Sequence, residues 1–218
     1  MSILHKIANQ IRPYMNEQGY TFSKNCFYKF HNDIAFCVAF DMPSGLVYAT
    51  FFVMPLYIPA EKRYYTYGNR MSSLRRSKLL PLSKNASDNE LEVWCAHLCK
   101  DLEKIVFPFF REIATPSKLV NVIEKKKYLA KHFFLCAPVQ LYRLKLFSYL
   151  YMEDWDHLYI LAEKYPVYIQ ESTYFTETVC NSYLEENHAI MQMVKNDIQI
   201  VRAFCSHTVE DTIRSCFK

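Results

Sequence analysis

The sequence predicts an α+β fold: an N-terminal helix packed on a three- to four-stranded antiparallel meander, followed by an all-helical C-terminal half. Three observations carry this expectation. Residues 26–55 alternate with the two-residue period of strands and are broken by short turn sequences. From Ser87 onward the apolar residues recur every three or four positions. Helix-start signals then punctuate the second half.

The first helix is read from Ile3, Leu4, Ile7, Ala8, Ile11 and Met15, which share one face. Ser2 is suited to cap it, Pro13 to kink it, and Gly19 to close it in a left-handed conformation. A first strand near Cys26–Phe30 turns at His31-Asn32-Asp33. A second spans Ile34–Asp41, and Met42-Pro43-Ser44-Gly45 turns into a third, Leu46–Pro55. Connections this short join antiparallel neighbours. Both faces of the second and third strands are apolar, so each face needs cover, from helices or from a second copy in a homodimer. Residues 56–86 read as a long loop, with a fourth strand at Tyr64–Tyr67.

Ser87 and Glu90 spell a capping box for a helix whose stripe runs from Leu91 to Phe109, with Pro108 disturbing its end. Thr115-Pro116 opens a helix to about Lys127. Pro138–Tyr151 and Asp154–Tyr165 form a helix hairpin, and two more helices follow near Tyr174–Val194 and Asp197–Cys216. The organisation expected is a helix-plus-sheet region, 1–86, with a helical region, 87–218, packed on it, or one continuous domain of both.

Composition narrows the function classes. The chain has 218 residues, of which 51% are hydrophobic, as in a globular protein. Only three glycines occur, and neither GxGxxG nor GxxxxGK[ST] is present, which argues against the common phosphate loops. No apolar run approaches the roughly 18 residues of a membrane helix. The start lacks a signal-peptide core, so a cytoplasmic setting and free thiols are expected for the eight cysteines.

No metal or cofactor is expected. Cys95-Ala96-His97-Leu98-Cys99 places its histidine on the opposite helix face from its cysteines, which read as members of the apolar stripe. Cys26, between Lys24 and Lys29, is the thiol best placed for reactivity, although a strand-core role explains it more simply. Asp154/Asp156 and Glu185/Glu186 read as a cap and a solvated face. Lys125-Lys126-Lys127 with Lys131 reads as basic groups complementing a helix C-terminus.

One segment concentrates recognition chemistry. Pro55–Lys78 interleaves Tyr57, Tyr64, Tyr65 and Tyr67 with Lys62, Arg63, Arg70, Arg75 and Arg76. Tyrosine offers a rigid plate with a polar tip, and arginine a planar fork for carboxylate or phosphate. Residues 61–84 hold seven basic side chains against Glu61 alone, a net charge of +6. Residues 153–186 hold eight acids against Lys164, a net of −7. The simpler alternative is that the tyrosines pack on the sheet edge and the basic groups pair with those acids.

Gly19-Tyr20-Thr21-Phe22, Phe27-Tyr28 and the run Met54-Pro55-Leu56-Tyr57-Ile58-Pro59 leading to Tyr67-Gly68-Asn69-Arg70 resemble an uncharacterised bacterial family, domain of unknown function 4304. The resemblance covers about residues 1–75. It implies a fold and a bacterial cytoplasmic setting, and brings no activity with it.

The function expected is therefore a non-enzymatic binding or interaction protein, of the regulatory or immunity kind, using Tyr57, Arg63, Tyr64, Tyr65, Tyr67, Arg70, Arg75 and Arg76 toward a protein partner. The second reading is an enzyme or small-molecule binder with a pocket between sheet and helices. Nucleic-acid binding through the basic loop is the weakest of the three, since the net charge is only +4.

Overall fold

The computed structural model describes residues 2–126, 132–134 and 136–218. It has the expected α+β plan. The chain divides into two compact units, residues 1–55 with 63–135 and residues 56–62 with 136–218. The division expected at 86/87 falls inside the first unit.

In the first unit, α1 (Ile3–Glu17) is capped by the Ser2 hydroxyl, which accepts from the His5 N–H. Pro13 lies within it. Gly19 follows at φ +80°, a conformation other residues rarely adopt. The sheet has the order β1 (Thr21–Ser23), β2 (Cys26–His31), β3 (Ile34–Asp41), β4 (Leu46–Pro55), β5 (Tyr67–Arg70), all antiparallel. A short β6 (Leu82–Ser83) pairs with the start of β4. β3 and β4 keep their expected bounds. The fourth strand begins where the expectation ended it, because Tyr67–Arg70 pairs with Thr50–Val53. Gly68 permits that pairing: a Cβ there would stand 2.1 Å from the Phe51 carbonyl oxygen. Asn32 and Asp33, both at positive φ, make the tight β2–β3 turn.

One sheet face carries Phe36, Phe40 and Phe51. It packs on α2 (Asp88–Asp101) and α3 (Phe107–Glu112), through Phe40 against Trp94 and Phe36 against Phe110. The capping box forms as expected, the Ser87 N–H donating to Glu90 Oε2 at 2.7 Å. Between α2 and α3, residues Leu102–Val106 form a π-helical turn. Pro108 lacks the N–H that would bond to the Lys104 carbonyl, and its ring crowds that oxygen, so the backbone widens just before it. α4 (Pro116–Lys125) follows its Thr115 cap. The end expected near Lys127, and the cluster members Lys127 and Lys131, lie outside the described residues. β3 is buried throughout except at Asp41, within a single chain.

The second unit is a helical array. α5 (Pro138–Tyr151), α6 (Trp155–Gln170), α7 (Glu177–Asn196) and α8 (Ile198–Phe217) each pack on the next, and α8 returns against α5. Residues 56–62 thread alongside: the Tyr57 hydroxyl meets the Ser148 hydroxyl at 2.9 Å, and Thr212 Oγ1 bonds to the Ile58 carbonyl at 3.5 Å. α6 was expected to stop at Tyr165, before Pro166, but continues to Gln170. Pro166 cannot bond to the carbonyl of Ala162. Asn187 of α7 supplies the missing donor, its Nδ2 lying 3.1 Å from that oxygen in a buried setting.

Candidate functional site

The structure separates the tyrosine–arginine segment into three groups. Tyr57 and Tyr67 are interior side chains, 0% and 2% exposed. Tyr57 stacks on Tyr151 in the second unit, and Tyr67 lies edge-on to Tyr64 and Phe134 in the first. Arg63 and Arg70 are turned back on the sheet. Arg63 donates to the Ser23 carbonyl at 3.0 Å and to the Lys24 carbonyl at 3.3 Å. Arg70 pairs with Asp41 at 2.9 Å and lies 3.9 Å above the Tyr48 ring. Tyr65 packs on Phe52, half-exposed. Arg75 and Arg76, like Lys62 and Lys78, stand out in solvent.

Each charged segment makes ion pairs within its own unit. Arg70 pairs with Asp41, whereas Glu153 pairs with Arg202, Asp154 with His157 and Glu186 with Arg143. Arg143 grips Glu186 with two bonds of 2.6 Å.

Among the described residues, three surface clefts of the first unit differ in the number of cations they gather. The cleft beside Asp41, Tyr65 and Arg70, of about 440 Å³, has its charges neutralised by the Asp41–Arg70 pair. The cleft beside Tyr20, Phe36 and Phe110, of about 240 Å³, contains Arg111 and Lys29 without a carboxylate, and Lys29 is tied to the Gln18 carbonyl at 2.9 Å. The third, of about 300 Å³, gathers Arg75, Arg76, Lys104 and Lys126 against the single carboxylate of Glu112. Among the described residues, Arg75, Arg76 and Lys104 make no ion pair or hydrogen bond, whereas Lys126 pairs with Glu112.

Each wall of this third cleft has a local cause. Met71 and Leu74 are buried, so the turn between them and Ser77 directs Arg75 and Arg76 outward. Ser77 Oγ fixes that turn, donating to Asp101 at 2.6 Å and accepting from the Leu79 N–H at 3.1 Å. Lys104 and Ile105 come from the π-helical turn. Such turns occur disproportionately at functional sites. Lys126 sits at the C-cap of α4. The Glu112 carboxyl is held below its usual range, by the Lys126 hydrogen bond first and its charge second. Asn69 Nδ2 bonds to the His132 carbonyl at 3.0 Å, and Phe133 stacks on Phe109 with ring centres 3.9 Å apart. The result is a partly apolar floor under a cationic rim. The lining offers cationic contacts at the rim and apolar contacts at the floor.

Sequence reading reached Arg75 and Arg76 in this cleft and missed Lys104, Glu112 and His132. The Pro108 signal marked the right neighbourhood, because it disturbs the helix where Lys104 sits. The sequence shows Lys126 only as a charge complementing a helix C-terminus.

Cys26 keeps part of its expected distinction. Strand pairing sets Cys26 opposite Ala39, and Cys37, two residues earlier on β3, shares that face. A hydrogen bond with Cys37 lowers the Cys26 pKa, with Arg63 adding to the effect against the opposing cost of burial. Both thiols are buried. Cys95 and Cys99 lie along the α2 stripe, and burial pushes their pKa values up to about 12 and about 11. Among the described residues, no three His, Cys, Asp or Glu side chains gather as metal ligands.

Fold and site together define an α+β chain with a cationic surface cleft. No protein-family model matches the chain, and no curated protein or solved structure matches it significantly. No helix among the described residues is long and apolar enough to cross a membrane.

Proposed function

We propose that the chain is a non-enzymatic binding protein that takes an anionic group of its ligand or partner in the cleft of Arg75, Arg76, Lys104 and Lys126. The observation that carries this reading is the charge imbalance: four cations from three parts of the chain face one space with one carboxylate among them. Like charges brought together raise the local potential and attract a counter-anion. Arginine forks then fix its orientation. The remaining residues of the tyrosine–arginine segment act in this reading as the frame that sets the turn at 75–76. A cytoplasmic setting belongs to the same proposal, supported by eight free thiols. The resemblance of residues 1–75 to a bacterial family contributes a setting to it and no activity.

Thermal unfolding of the full chain against a panel of carboxylate, sulfate and phosphate compounds tests this. A ligand that binds only the folded state raises the midpoint. At least one anion class should do so for the native chain, and the shift should vanish in Arg75→Gln/Arg76→Gln. A panel that moves neither protein would sink the proposal.

A further inference from the structure

Resting on that reading, we infer that the group held in the cleft is the phosphoryl group of a small phosphate ester, whose organic part lies on the apolar floor. Three features narrow the anion to this chemistry.

The first is charge. Lys126 is already paired with Glu112, which leaves Arg75, Arg76 and Lys104 with no partner among the described residues. A carboxylate brings one negative charge and two acceptor oxygens. A phosphoryl group brings between one and two charges at neutral pH and three acceptor oxygens. It therefore matches three unpaired cations more closely. Two consecutive arginines on one turn offer planar forks, the geometry suited to phosphate.

The second is the floor. Pro108 and Ile105 are partly exposed beside the cationic rim, and the stacked Phe109 and Phe133 lie below them. Free inorganic phosphate would leave this apolar surface wet. An ester with an apolar or aromatic substituent covers it, at about 25 cal/mol for each Å² removed from water.

The third is size. A volume of about 300 Å³ stands at the lower end of the roughly 300–1,000 Å³ common for small-molecule sites. It suits one phosphoryl group with a compact substituent. A nucleic-acid strand would instead call for a groove that tracks successive phosphates.

Calorimetric titration of the full chain tests the inference with three probes: phenyl phosphate, inorganic phosphate and benzoate. Phenyl phosphate should bind at least about tenfold more tightly than either of the others. Arg75→Gln and Lys104→Gln should each weaken it by roughly tenfold, as the loss of a hydrogen bond to a charged group implies. Lys29→Gln, in a different cleft, should leave it unchanged. Thermal midpoints of the variants report whether each is folded. Equal affinity for phenyl phosphate and benzoate, with the same dependence on Arg75, overturns the phosphoryl assignment and leaves the anion-binding proposal standing. Equal affinity for phenyl and inorganic phosphate overturns the ester. Binding of none of the three overturns the inference, and the wider anion panel then decides the proposal separately.

Discussion

The two ends of the tyrosine–arginine segment have similar composition and opposite fates. Between Tyr57 and Arg70, Tyr57 and Tyr67 are interior, and Arg63 and Arg70 are folded back onto the sheet. At Arg75 and Arg76 the same chemistry faces solvent. The difference comes from what each residue is next to. Tyr67 is a buried strand residue against Tyr64 and Phe134, and Arg70 emerges beside Asp41 and Tyr48. Arg75 and Arg76 sit on a turn whose flanking Leu74 takes the interior position. An arginine-rich run is thus a supply of cations, and only those left without an internal partner remain for recognition.

The sharpest way to break this comparison is Tyr57→Ala. If Tyr57 is structural, its loss should cost about 3–5 kcal/mol, as truncating a buried aromatic does. Denaturant unfolding measures this, and a near-neutral result would return Tyr57 to the list of surface residues. Next in size is Asn187→Ala in the helical unit. It should cost about 1–3 kcal/mol, because the Ala162 carbonyl beside Pro166 would lose its donor.

The thiols give a smaller effect that depends on pH. The Cys95 pKa is raised to about 12, by burial first and by Cys99 second. The protonated thiol is therefore favoured by the fold. Its contribution is fully present below the unfolded pKa, near 9, and is lost as pH rises toward 12. Stability should fall by roughly 1 kcal/mol at pH 10 from this group, and Cys95→Ala should flatten that part of the profile.

Arg70→Gln comes next, at about 0.5–1 kcal/mol. Its ion pair with Asp41 is 41% exposed on each side and its cation–π contact lies at the surface. The smallest stability effect belongs to Arg75→Gln and Arg76→Gln, each within about 0.5 kcal/mol of neutral. Loss of anion binding without loss of stability at these two positions, set beside the reverse at Tyr57, would draw the line between frame and site.

Much of the local structure was legible before any coordinates. Ser2, Ser87, Thr115 and Asp154 all cap helices, because a short side-chain oxygen followed by an apolar period has few other uses. β3 and β4 were readable end to end from their alternation and turns. β1 and β6, at three and two residues, are too short to show a period, and only their partners make them strands.

The two prolines within helical stretches separate what is local from what is not. Each removes one backbone donor, and that loss is visible in the sequence. At Pro108 the backbone widens into a π-helical turn just upstream. At Pro166 a distant asparagine supplies the donor and the helix runs on. Nothing near Pro166 in the chain announces Asn187.

The cleft follows the same division. The sequence by itself determined the α+β class, most helix starts, the two long strands and a surplus of cations before Lys84. Only the tertiary structure decided which of those cations stay unpaired, and brought Lys104, Lys126 and His132 to Arg75 and Arg76. The physical reason is range. Capping and alternation act over a few residues, whereas charge pairing and burial depend on whichever side chains the folded chain makes neighbours.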